Sequence, residues 1–196
     1  MNPFNLISED IVNEIHEFNE KLSKGYKSLS DLGEIHVGVS EKEAVYQEDN
    51  IVLYHFKSRT KNQNPVPLLI VYALVNRPYI ADLQEGRSII QGLLDQGVDV
   101  YLIDWGYPVS ADKYLTLDDY INGYIDRCVD VICEKHNRKN INLLGICQGG
   151  VFSLCYTALY QKKVINLITT TTPVDFHTKQ DLLSHIVKKI DIDQIV

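Results

Sequence analysis

No apolar run in this 196-residue sequence approaches the roughly 20 residues that a membrane-spanning helix needs, so no such span is expected. The start, Met1-Asn2-Pro3-Phe4-Asn5, lacks a basic stretch followed by an apolar one, and no signal peptide is expected either. Basic charge is in deficit, with 19 Lys and Arg against 26 Asp and Glu and a net charge of -7. Nucleic acid is excluded as a partner on that ground, because phosphate contacts require a basic face. The four cysteines, Cys128, Cys133, Cys147 and Cys155, have no CxxC spacing and no histidine set beside them. Neither a metal centre nor a disulfide framework is expected, and a reducing cytoplasm suits them. Repeats and low-complexity tracts are lacking too. What remains is a chain with 45% hydrophobic and 23% charged residues, enough for one ordinary globular core.

Residues 8–24 carry Ile11, Ile15, Phe18 and Leu22 at steps of four, three and four, which predicts an amphipathic helix with Ser8 as N-cap and Gly25 as its end. That stripe either packs on its own domain or docks a partner. Residues 41–56 predict two strands around Glu48-Asp49-Asn50, followed by a polar loop over 57–65. The apolar run over 67–73 predicts a strand buried on both faces. Helical spacing over 81–96, a strand over 98–103 and a long helix over 116–136 follow. After these come a strand over 141–146, a helix over 151–160 and a strand over 164–170. Alternation at this spacing implies an α/β fold, a mostly parallel sheet with helices on both faces. The domain reading is a helical segment over 1–40, the α/β core over 41–175 and the start of a cap over 176–196.

Gly145-Ile146-Cys147-Gln148-Gly149-Gly150 lies where a strand turns into a helix, the pattern of a nucleophile elbow with Cys in place of Ser. Small residues two before and two after the nucleophile let the strained turn close, and the helix start favours a thiolate or an oxyanion nearby. The pentapeptide alone also fits a buried structural cysteine. Ligands of open α/β sheets bind at the carboxyl ends of the strands. Val75-Asn76-Arg77, Asp104-Trp105-Gly106, Cys147-Gln148 and Thr172-Pro173-Val174-Asp175 all fall there, which favours a catalytic Cys147. Trp105 reads equally as a turn aromatic or a site residue.

Four segments in order resemble the polyhydroxyalkanoate synthases, most closely the class III catalytic subunit. They are Tyr72-Ala73-Leu74-Val75-Asn76-Arg77-Pro78-Tyr79, Tyr101-Leu102-Ile103-Asp104-Trp105-Gly106, the elbow itself, and Thr171-Thr172-Pro173-Val174-Asp175-Phe176. The resemblance implies an α/β-hydrolase fold and an acyltransferase that polymerises 3-hydroxyacyl-CoA, mainly 3-hydroxybutyryl-CoA, with release of CoA. It implies Cys147 as the nucleophile and the backbone amides of Gln148 and Val75 as the oxyanion hole. It further implies a second synthase subunit and a cytoplasmic polyester granule as partners, with no cofactor.

The same resemblance puts the catalytic Asp and His after two further strands, beyond Val196. The expectation is therefore the N-terminal part of a synthase, carrying the nucleophile and oxyanion hole without the base. Asp175 and His177 are local substitutes, although their spacing fits a turn leading into the cap. Two other readings stand beside this one: a Cys-dependent hydrolase of the dienelactone type, and a non-catalytic fragment that binds a synthase partner.

Overall fold

The computed structural model describes residues 9–31, 36–175, 185, 186 and 189. The chain divides into two compact units, 1–36 and 37–196. The first contains helix α1, Glu9–Asp31. It runs through Gly25 instead of ending there, a correction to the expected stop. One glycine in a helix interior costs only about 1 kcal/mol, and the pairs Glu17–Lys21 and Glu20–Lys24 at i,i+4 spacing support the turns before it. The expected cap Ser8 lies outside the described residues.

The second unit is built on a six-stranded sheet. Its strands are β1 (Lys42–Glu48), β2 (Ile51–Phe56), β3 (Leu68–Val71), β6 (Val100–Asp104), β7 (Ile141–Ile146) and β8 (Val164–Thr170), in the spatial order β1-β2-β6-β3-β7-β8. β1 and β2 form the expected hairpin, β2 runs antiparallel to β6, and the remaining neighbours are parallel. All four residues of β3 are buried, as are the first four of β6, which explains their near-continuous apolar runs. Helix α3 (Asp126–Lys135) follows β6, and α4 (Gln148–Leu159) follows β7.

Two segments depart from expectation. Residues 81–96 are not one helix. They form the end of a 3-10 turn (Pro78–Ala81), a small hairpin of β4 (Asp82–Gln84) and β5 (Arg87–Ser88), and then helix α2 (Ile89–Asp95). The helix starts late because the Ser88 hydroxyl accepts from the Gln91 amide at 2.9 Å, an N-cap that fixes its first turn. Buried Asp82 holds the hairpin by accepting from the Ser40 amide and hydroxyl, both at 2.8 Å, and from the Ser88 hydroxyl. The expected long helix over 116–136 is interrupted: 117–118 are α-helical, and the α-helix resumes only at α3, Asp126–Lys135. Asp119–Ile125 is a π-helical stretch, a rare form that is frequent at functional sites.

Chain direction reverses across the sheet beside β3. From β3 the chain crosses to β6 on one side, and from β6 it passes back over β3 to β7 on the other. The crevice outside the carboxyl ends of β3 and β7 is the switch point where open α/β sheets bind ligands.

Candidate active site

Cys147 lies at that switch point, between the last residue of β7 and the first of α4. Its backbone, at φ 56° and ψ -124°, is in a region that side-chain-bearing residues rarely adopt. Among the described residues, four other than glycine have positive φ: Asp49, Asn137, Cys147 and Thr171. Asp and Asn visit that region readily, whereas Cys and β-branched Thr do not, and both of these sit at the carboxyl rim. Strain concentrated at one rim is the signature of a site whose geometry is imposed by its surroundings.

The surroundings are the elbow glycines and the ends of the neighbouring strands. A Cβ on Gly145 would lie 2.8 Å from both the Gly149 carbonyl oxygen and the Gly150 nitrogen. On Gly149 it would lie 2.8 Å from the Tyr72 Cα and closer still to the Val71 carbonyl. On Gly150 it would strike the Thr172 side chain. Without side chains at these positions, α4 seats directly on the ends of β3 and β8. The Cys147 amide donates to the Thr170 carbonyl at 3.0 Å, which fastens the turn to β8.

Gln148 opens α4, so its amide is one of the first-turn donors that have no carbonyl within the helix. Its side chain does a second job, which the sequence pattern does not reveal: Oε1 accepts from the Leu74 amide at 3.1 Å. With the Asn76 amide donating to the Ala73 carbonyl at 3.0 Å, this fixes the turn that presents Val75. Val75 is 87% exposed, with its side chain facing away from the packed interior. The elbow and the loop after β3 are thus one hydrogen-bonded unit.

The loop after β6 joins the same unit. Trp105 Nε1 donates to the Tyr72 carbonyl at 2.9 Å, and the Tyr72 hydroxyl donates to Asp104 at 3.2 Å. Burial pushes the Tyr72 phenol upward, so the hydroxyl stays a donor. Arg77 donates to the Gly106 carbonyl at 3.1 Å and stacks on the Tyr107 ring at 3.5 Å. These contacts answer the open question about Trp105: it is a buried rim residue that ties β3 to β6.

Asp175 is exposed beyond β8, and His177 lies outside the described residues. His55 and His136 face Asp99 at the opposite end of β6, with His55 Nε2 2.7 Å from one carboxylate oxygen and His136 Nε2 3.2 Å from the other. Among the thiols, Cys147 and Cys155 are half-buried. Burial raises the Cys128 thiol to about 12 and pushes Cys133 up as well, which leaves both inert. Among the described residues, no cluster of His, Cys, Asp and Glu could hold a metal ion, and no helix is long and apolar enough to cross a membrane.

The sequence pattern of the alpha/beta hydrolase fold family matches residues 66–190, and that of the poly-beta-hydroxybutyrate polymerase (PhaC) N-terminus family matches residues 4–93. Among curated proteins, the poly(3-hydroxyalkanoate) polymerase subunit PhaC of Allochromatium vinosum is 55% identical over 198 residues, covering 100% of this chain and 56% of that protein. The subunit of the same name from Synechocystis is 53% identical, over 90% of this chain and 47% of its own. The chain therefore spans about half the length of the curated relatives it matches. Among solved structures, a sugar hydrolase from Lactococcus lactis superposes with a TM-score of 0.54 at 16% identity, covering 72% of this chain and 58% of that one. The thioesterase domain from the curacin biosynthetic pathway gives 0.52 at 16% identity, covering 77% and 50%. Those two likenesses bear on the fold alone. With the elbow and its rim in place, the sequence matches assign the chain to the poly(3-hydroxyalkanoate) polymerase family, on an α/β-hydrolase fold.

Proposed function

We propose that the chain carries the nucleophilic part of a polyester-forming acyl transfer. The Cys147 thiolate attacks the thioester carbonyl of a 3-hydroxyacyl-CoA, chiefly 3-hydroxybutyryl-CoA, and the carbonyl pair moves onto oxygen. The amides of Gln148 and Val75 receive that oxyanion, and each such donor is typically worth about 100- to 1000-fold in rate. Collapse breaks the bond to the CoA sulfur, which leaves as a thiolate and takes up a proton. The hydroxyl of a second unit then attacks the Cys147 thioester, forming an ester and returning the sulfur. The first step exchanges sulfur for sulfur, so little bond strength is lost. Water must be kept from the acyl-enzyme, or the growing chain would be hydrolysed rather than extended.

The observation that carries this reading is the strained backbone of Cys147 at the head of α4, held by close contacts at three glycines. The proton acceptor belongs to the part of the longer relatives that this chain does not span, with Asp175 and His177 as the local substitutes to exclude. His55 and His136 do not qualify, since both are committed to Asp99 at the other end of the sheet. A second synthase subunit and the surface of a cytoplasmic polyester granule are the partners proposed with this activity.

The test supplies the missing base through solvent. At about pH 9 a free thiol is largely ionised, and the chain is mixed with 3-hydroxybutyryl-CoA. One hydroxybutyryl group on Cys147, with an equivalent of CoA released and neither seen in Cys147→Ala, is the expected result. Acylation of Cys155 instead, or of no cysteine, overturns the assignment. Sustained turnover at neutral pH overturns the placement of the base outside the chain.

A further inference from the structure

Beside the elbow, the second unit contains a half-open cavity of about 370 Å³, within the range of small-ligand sites. Its walls come from the β1–β2 turn, the loop after β6 and the π-helical stretch, and it shares Leu74 and Trp105 with the rim described above. β6 and β7 are two strand spacings apart, so the loop after β6 lies about 10 Å from the elbow across the sheet. We propose that this cavity seats the uncharged polyester end of an acyl chain carried on Cys147, a proposal that rests on the acyl-transfer reading.

Three features of the cavity select such an occupant. Its surface is mainly apolar, and Leu74, Trp105, Val109, Leu115 and Tyr120 are among the residues that line it. Its carboxylates are engaged within the wall: Asp49 accepts from the Tyr124 hydroxyl at 2.8 Å, and Asp112 accepts from the Val109 amide at 2.7 Å and from Asn50 at 3.1 Å. Against these two carboxylates the described lining offers one cation, Lys113, so the phosphates of CoA are repelled while neutral esters are not. Third, the π-helical stretch exists where the cavity needs it. It brings Tyr120 and Tyr124 together on the wall, with Tyr120 stacked on Phe152 at 6.0 Å and edge-on to Trp105 at 5.6 Å.

Trp105 is the only tryptophan of the chain and forms part of the cavity wall, so its fluorescence reports on the cavity directly. The chain is titrated with a methyl-capped trimer of (R)-3-hydroxybutyrate and, separately, with CoA. The expected result is a saturable change with the trimer, none with CoA, and at least a tenfold weaker response in Val109→Phe and in Leu115→Phe. Val109 is 54% exposed, so its substitution leaves the fold intact, and an unchanged unfolding midpoint verifies this. No response to the trimer overturns the proposal, as does an equal response to CoA or a response that both variants preserve. The two failures are distinguishable. Acylated Cys147 without trimer binding sinks the cavity proposal alone, whereas trimer binding without acylation sinks the acyl-transfer reading and leaves the cavity an ester-binding site with no role in it.

Discussion

Gly149→Ala tests the elbow through a single methyl group. The new Cβ meets the backbone of β3, lying 2.8 Å from the Tyr72 Cα, where carbon contacts are comfortable only at about 3.5 to 4.0 Å. Backbone at the end of a central strand cannot rotate aside as a side chain can. Helix α4 must therefore withdraw from β3, and overpacking of this kind costs about 1–3 kcal/mol. Alanine returns about 1 kcal/mol through helix propensity, so the net loss is about 0–2 kcal/mol. Gly92 supplies the control. It lies on the exposed face of α2, and a Cβ added there would meet no atom within 4 Å, so Gly92→Ala is expected to gain about 1 kcal/mol. For a domain of this size each kcal/mol moves the melting temperature by roughly 2–4 °C, so the two variants shift in opposite directions. Gly150→Ala is expected to lose stability as well, because its Cβ would lie 2.9 Å from the Thr172 Cβ, an atom that side-chain rotation does not move.

Thermal unfolding followed by Trp105 fluorescence measures the order Gly92→Ala above wild type above Gly149→Ala. Iodoacetamide labelling of Cys147 in native buffer reads the local effect, since withdrawal of α4 also strains the bond from Gln148 to the Leu74 amide. If Gly149→Ala gains stability as Gly92→Ala does, α4 does not rest on β3, and the account of the strained Cys147 fails with it.

Two further outcomes are expected elsewhere in the second unit. Burial pushes His136 below its ordinary pKa, more strongly than Asp99 raises it, with His55, Lys135 and Arg138 also opposing its charge. The folded state then binds this proton less readily than the unfolded chain, whose histidine titrates near 6.5. Stability is full above that value and declines as pH falls through it, by at most about 1.4 kcal/mol per pH unit for this one group. Urea midpoints between about pH 7.5 and 5.5 should fall more steeply in wild type than in His136→Gln; a steeper fall in the variant refutes the assignment. Asp82→Ala strips the acceptor from the Ser40 amide and from the Ser40 and Ser88 hydroxyls, at a cost of about 1–3 kcal/mol in urea unfolding. An unchanged midpoint would mean that solvent satisfies those donors equally well.

Local patterns reveal most of this fold, and the exceptions share a cause. β7 and β8 have the bounds that their sequence predicts, because apolar runs with no competing period leave one solution. The hairpin over 82–88 escapes the pattern because Leu83, Ile89 and Ile90 mimic helical spacing, while the determinant is the Asp82 carboxylate reaching Ser40, a partner 42 residues away. A local signal does exist there: Ser88-Ile89-Ile90-Gln91 has the spacing of a capping box and marks the true start of α2. The π-helical stretch has no such mark, since it answers to the packing of Tyr120 on Phe152 and Trp105.

The same division runs through the site. Glycines and a cysteine at fixed spacing are legible because steric exclusion acts between residues close in sequence, as between Gly145 and Gly150. The bonds from Gln148 to Leu74 and from Trp105 to Tyr72 span 74 and 33 residues, and only the fold brings them together. These long-range bonds hold the loops after β3 and β6 against the elbow, so the motif supplies the strained backbone of Cys147 and the tertiary structure supplies the placement of the turn at Val75 beside it. Substitutions within the elbow should therefore act first on stability, while loss of the Gln148 side-chain acceptor should act on acylation of Cys147 with the fold retained.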